Sequence, residues 1–193
     1  MHPMRNLLHS TLTVFILMNS VSAYAGVTIY YEGRAADTAA VERILVAASD
    51  EAKSNGWQSR EAFSPDVSMK RIVDEKDVSY RGAIRGIVIQ PQLGCEPIYL
   101  QFDSNMFMQD FVKTQFAGPE VHVQVVRLFK RIQPLLSSLK IEDEGGYWDS
   151  GNKATLQGHL AKANAMMVEM KMSKPSLKGP VTLPSGRIVD LMR

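Results

Sequence analysis

The chain has 193 residues, 45% of them hydrophobic, with 22 Lys and Arg against 20 Asp and Glu. That near balance excludes a strongly basic nucleic-acid binder and a polybasic membrane-surface protein. The single cysteine, Cys95, excludes an internal disulfide framework.

Residues 1–25 read as a secretory signal peptide. Arg5 supplies the positive n-region, Leu12–Met18 the apolar core, and Ala23-Tyr24-Ala25 the small-residue cleavage site before Gly26. An uncleaved anchor is disfavoured, because a spanning helix needs about 20 mostly apolar residues. Ser10, Thr11, Thr13, Asn19 and Ser20 interrupt this run. No Cys stands at the cleavage site, so no lipid tether is expected. The expectation is a soluble periplasmic or secreted protein that does not insert stably in the membrane. Removing 25 of 193 residues leaves 168, enough for one domain that buries roughly 70% of its unfolded surface.

Val27–Tyr31 is β-branched and aromatic and predicts a strand. Asp37 or Thr38 then caps a helix with Val41, Ile44, Leu45, Ala48 and Ala52 on one face. Gly56 suits the left-handed C′ position, with Trp57 folding back on the last turn. Two short strands are expected at Gln58–Phe63 and Met69–Val73, around Ser64-Pro65, and a charged outward loop at Asp74–Arg81. Ile84–Gln90 and Ile98–Phe102 read as an antiparallel hairpin. Ser104–Phe116 is apolar without a clean period, and predicts an irregular connection packed on the domain.

Pro119 and Glu120 open a second helix, whose apolar face is Val121, Val125, Leu128, Phe129, Ile132 and Leu136. Pro134 shortens its last turn. A short strand, Leu139–Ile141, leads into an acidic, aromatic turn, Glu142–Asp149. Asp149 or Ser150 is expected to cap a last helix presenting Leu156, Leu160, Ala163, Met167 and Met170. The whole reads as α+β: an antiparallel or mixed sheet of about five strands with two or three helices packed on one face, in a single domain over 26–170. Residues 171–193 read as a mobile basic tail with room for a small hairpin across Pro184-Ser185-Gly186.

Chemistry-bearing residues are few. His122 and His159 are the histidines beyond the signal segment, and no common zinc spacing is present, so neither a metal nor a cofactor is predicted. Cys95, followed by Glu96 and Pro97, is expected to be an unreactive surface thiol or an intermolecular disulfide partner. The turn is the most distinctive polar site. Glu142, Asp143, Glu144, Tyr147, Trp148 and Asp149 suit recognition of a protein surface, since Tyr and Trp are enriched at binding hot spots. The competing reading leaves Trp148 in the core and Asp149 as a helix cap.

Gly86-Ile-Val-Ile-Gln-Pro, Lys113-Thr-Gln-Phe-Ala-Gly-Pro-Glu-Val-His122 and Asp143-Glu-Gly-Gly-Tyr-Trp-Asp149 together resemble an uncharacterised family of small bacterial proteins, over about residues 27–165. The resemblance implies a bacterial origin and a one-domain shape, and brings no activity with it. The functional expectation is a non-enzymatic periplasmic binding protein whose partner is another protein, not nucleic acid. An immunity-type inhibitor of a secreted toxin is its specific form. The alternative is a cell-envelope hydrolase using Glu144 and Asp149 with His122 or His159.

Overall fold

The structure, a computed structural model, describes residues 26–73 and 76–193; the expected signal segment lies outside the described residues. Strand β1 (Thr28–Arg34) is followed by helix α1 (Thr38–Ser54). Asp37 caps α1, its carboxylate accepting from the Ala40 amide at 2.7 Å. The helix ends as its sequence predicts. Gly56, at φ 69°, donates to Lys53, and Trp57 donates to Ala52. Val41, Ile44, Leu45, Ala48 and Ala52 are all buried.

The next segment departs from expectation. In place of two short strands and a loop there are β2 (Gln58–Val73) and β3 (Lys76–Gln90), paired antiparallel from Gln58↔Gln90 to Val73↔Lys76. The register shifts between Ser64 and Val67, at Pro65, which has no amide to give to the ladder. The proximal half carries buried Ile84, Ile87, Val88 and Ile89 and packs on α1. The distal half, residues 67–73 and 76–82, is a mostly exposed arm. Strand β4 (Ile98–Phe102) completes the sheet β2-β3-β4. Gly86 is required there, since a Cβ would lie 2.3 Å from the Leu100 carbonyl oxygen.

The expected irregular connection holds strand β5 (Phe107–Lys113), and a second sheet runs β5-β1-β6, with β6 at Ser138–Asp143. Its mixed composition follows from position. Met108 and Val112 face inward, while Phe107, Gln109 and Phe111 face outward beside Arg34, Glu32 and Tyr30. Helix α2 (Pro119–Ile132) buries Val121, Val125, Leu128, Phe129 and Ile132 against the inner side, where the Phe129 and Tyr31 rings lie 4.7 Å apart. Pro134 stands in a 3-10 turn just past the helix.

Helix α3 (Tyr147–Ser150) and helix α4 (Lys153–Ser173) correct the expected cap. Asp149 and Ser150 belong to α3, and Asn152 caps α4, accepting from the Ala154 amide at 2.9 Å. Leu156, Leu160 and Ala163 form a smaller cluster with Val27. A cis Gly179–Pro180 bond precedes the two-residue strands β7 (Val181–Thr182) and β8 (Ile188–Val189). The fold is α+β with antiparallel pairing throughout. Instead of one five-stranded sheet there are, among the described residues, two of three strands and a small hairpin. Among the described residues no helix is long and apolar enough to cross a membrane.

Candidate functional site

Strand alternation turns Tyr30, Glu32 and Arg34 outward, and their cross-strand neighbours with them: Phe111, Gln109 and Phe107 on β5, and Glu142, Lys140 and Ser138 on β6. The distal arm lies against this face. Gln109 pins it by accepting from the Ile72 amide at 2.8 Å and donating to the Ile72 carbonyl. The Tyr80 hydroxyl accepts from the Ser104 amide at 3.1 Å. Between arm and sheet is a cleft of about 1020 Å³, with Tyr30, Phe111, Met69 and Ile72 as its apolar lining. Its size matches the upper end of small-ligand sites, or a few residues of extended chain. Tyr30 and Phe111 stay 39% and 37% exposed, with ring centres 5.9 Å apart.

Two guanidinium groups stand at the cleft. Arg187, from β7–β8, reaches Asp110 and Glu96 and stacks over Phe111 at 4.1 Å and Tyr99 at 4.9 Å. Burial raises the Asp110 carboxyl above its ordinary range, and the adjacent Arg187 partly offsets this. Arg71 is 5% exposed. Its Nη1 donates to Asp103 Oδ2 at 2.9 Å and to the Phe107 carbonyl at 3.0 Å. Burial lowers its proton affinity, and Asp103 opposes that shift.

The sequence-predicted turn is divided by the same alternation. Glu142 faces the cleft. Asp143, one residue on, points inward. It accepts from the amides of Gly145 at 2.7 Å, Tyr147 at 2.8 Å and Trp148 at 2.9 Å, and pairs with His122 Nε2 at 3.1 Å. Burial would raise the Asp143 carboxyl, but the His122 hydrogen bond and the amides outweigh it and hold it low. Glu144 accepts from the Thr28 amide at 2.9 Å, and burial raises its carboxyl. Tyr147 and Trp148 are half-buried against the core, Trp148 with Lys130 at 5.0 Å over its ring, and Asp149 is exposed. The turn's polar groups are therefore largely committed to holding α3 in place.

His122 also meets Thr114, whose Oγ1 lies 2.7 Å from Nδ1. Hydroxyl, imidazole and carboxylate form one chain, as in a hydrolytic triad. The Asp143 carboxylate only accepts, so Nε2 donates to it, while the Thr114 hydroxyl lies within reach of both Nδ1 and the Val27 carbonyl oxygen, 3.4 Å away. Thr114 and His122 are both 0% exposed, which leaves a substrate no path to the hydroxyl. His159 stands apart on α4, exposed, with Nδ1 2.7 Å from the Glu144 carbonyl oxygen. The structure thus joins His122 to Asp143 and His159 to the Glu144 backbone, without converging the four residues of the hydrolase reading.

Cys95 is buried, not at the surface, and burial followed by the neighbouring Glu96 pushes its thiol pKa far up. The cleft residues escaped sequence reading except Glu142. One local signal was present: Met69, Arg71 and Val73 alternate inward on β2, and an arginine at an inward strand position marks a buried cation. No family model, curated protein or solved structure matches the chain.

Proposed function

We propose that the chain is an exported, non-enzymatic binding protein that takes an extended segment of a partner protein in the cleft between the arm and the β5-β1-β6 sheet. The observation that supports this is the half-exposed Tyr30–Phe111 pair on the floor of a cleft of about 1020 Å³. Aromatic anchors with a charged rim suit protein recognition. Glu142, Lys140, Lys70 and Asp77 form that rim. Export rests on the sequence of residues 1–25. An immunity-type inhibitor bound to a secreted toxin is the specific form of this reading, and stoichiometric neutralisation by the purified protein is its outcome.

The test is site-specific photo-crosslinking in the cells that make the protein. A benzophenone amino acid replaces Phe111, and separately Leu93, which is 97% exposed and outside the cleft. A discrete adduct from position 111, absent from 93 and lost on Tyr30→Ala, is expected. Equal labelling from both positions, or none from 111, refutes the cleft as the binding surface.

A further inference from the structure

We infer that the cleft holds a carboxylate subsite at Arg71, which reads an acidic side chain or C-terminus of the bound segment. This rests on the cleft reading above and adds the chemistry that it recognises. Arg71 commits one edge and the face of its guanidinium and leaves the other edge open. One edge of its guanidinium is paired, through Nη1, with Asp103 and the Phe107 carbonyl. Its charge lies 5.0 Å from the Phe107 ring centre and 5.5 Å from that of Tyr80. The other edge, Nε and Nη2, is buried and has no hydrogen-bonding partner among the described residues.

That edge is the fork by which arginine binds a carboxylate with two parallel hydrogen bonds. Ring stacking satisfies the face of the cation, not its in-plane N–H groups. A buried donor with no acceptor is costly, and more so on a charged group, so an otherwise well-packed fold has reason to carry one only where an acceptor arrives. Asp103 is already engaged with the Asn105 and Phe107 amides through Oδ1 and with Nη1 through Oδ2. It therefore anchors Arg71 and leaves the fork open. Arg71 lines the cleft from the arm, and the rings that flank its guanidinium, Tyr80 and Phe107, belong to the arm and to β5. A carboxylate reaches it when the arm shifts enough to release the Gln109–Ile72 and Tyr80–Ser104 bonds, while Arg71 keeps its Asp103 anchor.

The experiment uses the exported protein labelled with nitrogen-15 at arginine, and follows the Arg71 Nε–H resonance. Succinate is the probe, with neutral succinamide and inorganic phosphate as controls. A saturable downfield shift with succinate, absent with succinamide and weaker with phosphate, is expected. A resonance unmoved across the succinate titration overturns the subsite, as does phosphate binding at lower concentration than succinate. Arg71→Lys keeps the charge and loses the fork. It is expected to weaken succinate binding at least tenfold and to reduce the Phe111 adduct. An undiminished adduct in a folded Arg71→Lys protein overturns the Arg71 assignment while leaving the cleft reading intact. Absence of the position-111 adduct with Arg71 intact is the outcome that removes the cleft reading itself.

Discussion

Asp143 shows how one carboxylate can define a turn. Three amides and an imidazole converge on it, and its side chain is 0% exposed. Asp143→Asn replaces one accepting oxygen with a donor and leaves buried amides unpaired. Chemical denaturation at neutral pH is expected to show a loss of about 3 kcal/mol. The pH dependence has a definite sign. The folded-state pKa lies below the ordinary 3.8, so the carboxylate's contribution is complete above about pH 4 and is lost as pH falls through the folded value. The gap between wild type and Asp143→Asn should therefore narrow below about pH 4; a gap that stays constant would contradict the assignment. Asp110 and Glu144, both raised by burial, run the opposite way, so the comparison must be between variant and wild type. Gly145 belongs to the same knot. A Cβ there would lie 2.6 Å from Leu156 Cδ1 and 2.8 Å from His122 Cε1.

At the scale of elements, the helices were legible and the arm was not. A helical face repeats every three to four residues, so Val41 to Ala52 and Val121 to Ile132 announce their buried sides locally. A strand announces itself by alternation only when one face is buried. On the distal arm Lys70, Ile72, Asp77, Val78 and Arg81 are exposed, and Asp74–Arg81 reads as a charged loop although Asp77–Arg81 pairs with Ser68–Ile72. The last helix boundary gives a direct test. Asp37→Ala and Asn152→Ala remove working caps and are each expected to cost about 1 kcal/mol in urea unfolding. Asp149→Ala, on an exposed turn of α3, is expected to cost less than about 0.5 kcal/mol. Equal losses at positions 149 and 152 would move the cap back to where sequence alone put it.

For the whole molecule, the C-terminal segment matters through Glu96, which is 1% exposed and accepts from the Ile188 amide at 2.7 Å, the Lys113 amide at 3.1 Å and Arg187 Nη1 at 3.2 Å. Lys113 also holds Asp190 at 2.8 Å. Deleting residues 174–193 strips this buried carboxylate of two of its donors. A loss of about 3 kcal/mol, or roughly 6–12 °C in Tm, is expected by differential scanning fluorimetry. Glu96→Gln in the shortened chain should recover part of it. An unchanged Tm would mean that the segment contributes nothing to the fold. The α+β class, the buried helix faces, the Gly56 end of α1 and the chemistry available to the chain are legible in the amino-acid order alone, because they depend on residues within about four positions of each other. That order also singled out the acidic turn, but not which carboxylate faces which side. Only the tertiary structure decided that Glu142 meets the cleft while Asp143 is sealed against His122, and that Arg71 lies beside Asp103, 32 residues away. Such placements depend on strand register and long-range packing, and a buried polar group takes its meaning from partners that the local pattern does not contain.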